Sequence, residues 1–142
     1  MSRPHWPWWS YVKEMIRRYP ERSAELDRLR TARITVNYST MGHSGGVSRQ
    51  TEQLALKDLP ESTRREYQAV ADALTALEAR ANGDEVLKMI RLVFWKRTHT
   101  LAGAALNIHV SESTARRWHR EFIYLVAEKY GLYEPKTGKM IP

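Results

Sequence analysis

Positions 100 to 118 read TLAGAALNIHVSESTARRW, and the spacing of small, apolar and capping residues in this stretch decides the fold. Thr100 suits a helix N-cap, because its hydroxyl can accept from an orphan amide of the first turn. From that start Leu101, Ala104 and Ala105 fall on the inward side of a short helix. Ala105 stands where a second helix crosses directly over it, so the side chain there must be small. Ile108 and Val110 pin a turn to the core, and Ser111 caps the second helix. Between them His109 occupies the place where such a turn favours a left-handed residue, usually Gly; His tolerates positive φ better than most other types. Ala115, Trp118, Phe122, Leu125 and Val126 continue as an inward stripe. This is the spacing of a helix-turn-helix.

Because each helical residue turns the chain by about 100°, Ser113, Arg116, Arg117, Arg120 and Tyr124 are expected together on the opposite face, with three arginines and no acid. An arginine-rich face beginning at a helix N-terminus suits the major groove of double-stranded DNA, where Arg can grip guanine N7 and O6 with two hydrogen bonds. Ser113, Arg116, Arg117 and Arg120 are therefore the candidate base-reading residues. Lys96, Arg97, Thr98 and Thr100 come just before the first helix, and Ser111 and Thr114 open the second. These six are the candidate phosphate contacts, which fix register and affinity more than specificity. The plainer alternative is an amphipathic helical hairpin with a solvated basic face.

Working outward, Asp84 is a cap for a helix that turns Val86, Leu87, Ile90, Val93 and Phe94 inward. Before it, Pro60 suits the first position of a helix. In that helix Tyr67, Val70, Ala71, Leu74, Leu77 and Ala81 share one face and the acids the other, and Asn82 with Gly83 ends it. Ser48 can cap a short helix through about Lys57. Residues 35 to 47 lose periodicity, and Gly42, Gly45 and Gly46 mark a flexible loop. Earlier still, Ser10 caps a helix carrying Val12, Met15, Ile16 and Tyr19, and Pro20 interrupts it or starts the next, in which Leu26, Leu29 and Ile34 keep the stripe. No segment alternates with a strand's period over a useful length. The expectation is all-α: N-terminal helices followed by a C-terminal helix-turn-helix. Its parts are an N-terminal helical arm and Gly-rich loop over 1 to 47, connecting helices over 48 to 83, a DNA-binding module over 84 to 133, and a tail over 134 to 142.

The charge pattern agrees with a nucleic-acid partner. The 142 residues carry 23 Lys and Arg against 16 Asp and Glu, a formal net charge of +7. The charges are blocked: positive zones at the N-terminus and around 86 to 120 flank an acidic stretch over 61 to 85, whose acids read as solvated. There are no cysteines, which excludes disulfides, thiolate zinc sites and cysteine nucleophiles. No apolar run approaches the ~20 residues of a membrane span, so no membrane partner and an intracellular, cytoplasmic setting are expected. The histidines at 5, 43, 99, 109 and 119 never form a helical i, i+4 pair, so no metal is expected. Positions 42 to 46 lack the Lys-Ser/Thr of a phosphate loop, and nothing suggests catalysis, so neither a cofactor nor an enzyme activity is expected. Trp6, Trp8 and Trp9 place three indoles in four positions. They either staple the helical core or form a docking patch for a second subunit or a polymerase.

Over residues 11 to 133 the chain resembles the RinA-type family of phage late-gene transcriptional activators, and more distantly the promoter-reading region 4 of sigma factors. The resemblance rests on Tyr19 and Pro20 followed by the charged helix over 26 to 30, on Gly45 and Gly46 before Ser48, and on Thr51 and Glu52. It is strongest over Thr100, Leu101, Ala105, Ile108, His109, Val110, Ser111, Thr114, Ala115, Arg117, Arg120 and the closing 127 to 133. The chain departs from the family in Trp118, where a smaller aliphatic residue is more usual, and in Ala104, where a larger one is. The resemblance implies a regulator that binds the promoter of a late operon and promotes transcription of packaging and structural genes with host RNA polymerase. A lone motif of this kind buries little DNA, so a homodimer or a second partner is expected. The rival is a phage small terminase subunit that recognises packaging DNA within a ring; a simple repressor is the third alternative.

Overall fold

The computed structural model describes residues 6 to 41, 59 to 134, and 139 and 140, with side chains over 6 to 32 and 59 to 134. These residues are predominantly helical. Helix α1 spans Trp9–Met41, α2 Glu61–Glu78 and α3 Gly83–Ile90, which runs on into a π-helical stretch at Arg91–Trp95. Helix α4 spans Leu101–Asn107 and α5 Glu112–Tyr130; strands β1 (Tyr133–Glu134) and β2 (Lys139–Met140) then pair antiparallel, Tyr133 opposite Met140.

Helix α1 corrects the expected break at Pro20, because its 33 residues run through the proline without interruption. Proline has no amide hydrogen, so the carbonyl four residues earlier, that of Ile16, loses its helical partner. The Trp95 indole supplies the missing donor, with its Nε1 2.9 Å from that oxygen. Tyr19 stacks between Trp95 and Tyr67, at centroid distances of 5.7 and 5.3 Å. The helix also continues through Met41, across backbone that lost its periodicity at 35. The glycines at 42, 45 and 46 and the helix expected after Ser48 lie outside the described residues.

Helix α2 ends at Glu78 rather than at Asn82, and Ala81 is exposed. Gly83 has a different task from the one expected of it. It opens α3, and a Cβ there would sit 2.3 Å from the Leu77 carbonyl oxygen, so only glycine lets the two helices come this close. Asn82, not Asp84, holds the N-cap position of α3. The inward side of α3 and the π-helical stretch is Val86, Met89, Ile90 and Phe94, with Leu87 and Val93 half-buried; Met89 was not anticipated. In the π-helical stretch the Lys96 amide reaches back to the Arg91 carbonyl at 2.7 Å, and the widened turn closes on Arg97 with φ +56°.

One core joins the described helices. Val12, Met15 and Ile16 of α1, Val70, Ala73 and Leu77 of α2, and Met89, Ile90 and Phe94 meet Trp118, Phe122, Ile123 and Val126 of α5. Each of the buried Val, Leu, Ile, Met and Phe side chains contributes roughly 1.5 to 3 kcal/mol by leaving water. A smaller cluster places Leu26 and Leu29 of α1 against Leu59 and Tyr67. Beside it lies an exception to the solvated acids: the Glu66 carboxylate takes both the Arg22 guanidinium and the Tyr11 hydroxyl, with the Arg22 and Glu66 side chains only 14% and 11% exposed.

Candidate nucleic-acid interface

Helix α4 starts where Thr100 was expected to start it, with the Thr100 hydroxyl accepting from the Gly103 amide at 3.1 Å. Ala104 and Ala105 are buried and Leu101 is half-buried. The turn closes through the Ile108 amide to Ala104 and the Val110 amide to Ala105, both at 3.0 Å. His109 has φ +62°, the left-handed conformation assigned to it from its place in the turn. Ile108 and Val110 pack against the core. Ser111 then caps α5, accepting from the Thr114 amide at 3.1 Å. At its other end Gly131, at φ +97°, stops the helix; its amide reaches Glu128 at 3.1 Å, and the Leu132 amide reaches Ala127 at 2.8 Å. That pair of bonds is a Schellman motif, which satisfies carbonyls the helix end would leave bare.

The nineteen-residue α5 is therefore held at both ends, and its two halves differ. From Trp118 onward it is packed on α2, α1 and α3. Its first six residues, 112 to 117, project Glu112, Ser113, Arg116 and Arg117 to solvent, while Ala115 faces the core and Thr114 is half-buried. Arg120 is half-buried at the edge of the exposed side and has no ion pair among the described residues. The expectation of a face free of acid needs correction. The Arg116 guanidinium lies 3.2 Å from the Glu112 carboxylate, and that of Arg117 lies 3.8 Å from Glu121. Both pairs are exposed and weak, and both guanidinium groups keep further donors facing solvent.

Tyr124 does not belong to that face. Its hydroxyl accepts from the Trp6 indole at 2.8 Å, and its ring meets Trp8 and Trp9 edge-on at 5.8 Å each. Trp8 is 5% exposed, and Trp6 stacks on it at 5.7 Å. Trp6, Trp8 and Trp9 thus cover the C-terminal half of α5 in the manner of a staple, with Tyr133 closing the cluster at 4.8 Å from Tyr124. The Trp8 indole nitrogen is buried and finds no acceptor among the described residues.

The expected phosphate contacts fall into two groups. Lys96, Arg97 and Thr98 are exposed in the connector before α4. Thr98 Oγ1 lies 2.8 Å from His99 Nδ1, and the Thr98 amide bonds the Leu92 carbonyl at 3.1 Å, which ties this basic connector to the π-helical stretch. At the helix starts Thr100 and Ser111 accept from backbone amides and Ser111 also donates to Thr114 Oγ1 at 2.8 Å, so Ser111 is committed both ways while the Thr100 and Thr114 hydroxyls act there only as acceptors and keep a donor. Two features of this region were missed. The Glu112 and Glu121 pairs could have been found from their i, i+4 spacing to Arg116 and Arg117. Arg80, counted with the acidic stretch, lines the same shallow depression as Trp118 and Glu121 beside α5; its proximity follows from tertiary packing alone.

Elsewhere, partial burial pushes the Tyr11 hydroxyl well above its ordinary range, and its bonds to Glu66 and Tyr130 push the same way. Among the described residues no three His, Asp or Glu gather as a metal site, and no helix is long and apolar enough to cross a membrane. No protein-family model, curated protein or solved structure matches this chain.

Proposed function

We propose that this chain is a sequence-specific regulator that binds double-stranded DNA through a sigma region 4-like helix-turn-helix formed by α4 and α5, and that it activates late packaging and structural genes of a phage or prophage with host RNA polymerase. The observation that carries the DNA-binding part is the exposed N-terminal half of α5, presented by a turn whose small, left-handed and capping residues all stand in register. Ser113, Arg116, Arg117 and Arg120 read base edges there, while Lys96, Arg97, Thr98 and Thr100 hold phosphates on the approach and Ser111 and Thr114 do so at the start of α5. The late-gene role rests on the resemblance to RinA-type activators.

The test is selection of bound duplexes from the source genome by the purified chain, with its mass in solution measured in the same buffer. The expected result is one site upstream of packaging and structural genes, bound by a monomer or dimer. A ring of eight or more copies that recovers sequence within the packaging genes would replace this function with that of a small terminase subunit. Loss of promoter-reporter output on binding would make the chain a repressor. Absence of any preferred duplex would overturn the DNA-reading assignment itself.

A further inference from the structure

We infer that Glu112 and Glu121 set the specificity of the proposed reading face by holding Arg116 and Arg117 ready for bases and by weakening contact with phosphate alone. The inference rests on the DNA-binding function above. Both acids lie on the exposed side of α5, one turn from the arginine each engages, at 3.2 and 3.8 Å. Their side chains are 50% and 47% exposed, so any duplex that reaches the arginines also meets the two carboxylates.

Two consequences follow from the chemistry of the pair. A guanidinium has five donors in a rigid fork, so Arg116 can give one nitrogen to Glu112 and still turn its remaining donors to guanine. The carboxylate restricts the long side chain before DNA arrives, which reduces the order that binding must impose. Phosphate oxygens gain nothing from that placement and are repelled by the acids. A wrong sequence therefore meets the repulsion without the paired hydrogen bonds, and the right sequence meets both. Glu112 precedes its arginine, the orientation that helix geometry and dipole favour, whereas Glu121 follows its own at the longer distance. Glu112 is the stronger positioning residue of the two.

The experiment compares the full chain with Glu112→Gln, Glu121→Gln and the double variant. Each is titrated with the selected duplex and with a scrambled duplex of equal length, over a series of salt concentrations. The double variant is expected to bind the scrambled duplex about two- to fivefold tighter. The gain on the selected duplex is smaller, so the ratio of the two affinities falls, and Glu112→Gln accounts for more of the fall than Glu121→Gln. An equal gain on both duplexes overturns the inference, since the acids would then be ordinary surface charge. Glu112→Asp keeps the charge and shortens the reach; it is expected to weaken the selected duplex without strengthening the scrambled one, and unchanged discrimination would overturn the positioning role. Circular dichroism confirms that each variant keeps its helix content. If the parent chain itself fails to prefer the selected duplex, the DNA-binding function is what has failed.

Discussion

The two halves of α5 have the same backbone and opposite surroundings. From Trp118 to the glycine stop the helix is enclosed, by the core on one side and, around its own Tyr124, by Trp6, Trp8, Trp9 and Tyr133 on another. From Glu112 to Arg117 it is largely bare, held by the Ser111 cap and by Ala115 against the core. The difference shows how a small domain can present a charged surface rigidly. The enclosed half fixes the axis, and the exposed half inherits that orientation with Ala115 as its buried apolar contact.

If this division is right, damage to the enclosed half should cost stability first. Phe122→Ala removes a ring that is 2% exposed, and a loss of ~3 to 5 kcal/mol is expected in urea unfolding. A loss below about 1 kcal/mol, the scale of a surface change, would show that this half is not what fixes the helix. Trp95→Phe tests the support one layer back. It leaves the Ile16 carbonyl without its indole donor, for an expected cost of ~1 to 3 kcal/mol, and native-state hydrogen exchange should show the loosening centred on α1 around Pro20.

Damage to the exposed half should do the reverse. Arg117→Ala is expected to weaken the selected duplex by ~1 to 3 kcal/mol while the unfolding midpoint stays in place; equal binding by variant and parent would remove Arg117 from the reading face. Lys96→Ala should weaken every duplex alike and lower the salt slope by about one, and a loss confined to one sequence would contradict a phosphate role. The smallest effect lies where α1 meets the end of the enclosed half, at the contact of Tyr11 with Tyr130. Tyr11 keeps its proton in the folded chain above the pH at which an unfolded tyrosine releases it. Folded protein then binds more protons than unfolded, so stability falls as pH rises beyond about 10, the ordinary tyrosine value. Tyr11→Phe should flatten that alkaline decline, measured as melting temperature against pH.

Legibility in the sequence followed locality. Thr100, His109 and Ser111 announced their conformations because a cap or a left-handed turn is a property of a few neighbouring residues, and all three adopt the geometry expected of them. The inward stripe of α5 was visible for the same reason, apart from Ile123 and Ala127, which are buried because neighbouring helices and the aromatic cluster enclose more than one side of α5. What escaped depends on distant partners. Pro20 carries a helix-breaking signal that only a tryptophan 75 positions away cancels. Gly83 carries a helix-ending signal, yet its small size answers to the Leu77 carbonyl. At the candidate interface the arginines are legible in the sequence, and so is the i, i+4 spacing that joins them to Glu112 and Glu121. Tyr124 was misplaced because a 100° step locates a side chain on the helix but says nothing of the indoles waiting beside it.

The bond between the Trp95 indole and the Ile16 carbonyl also bears on how this fold can drift through mutation. As long as position 20 is proline, the indole at 95 is the donor that carbonyl depends on, and losing it is selected against. Once position 20 regains an amide hydrogen, the helix can satisfy its own carbonyl, and position 95 is released to become any ring that fills the space beside Tyr19. Among divergent copies of this chain the two positions should therefore change in order, with proline leaving first and tryptophan following.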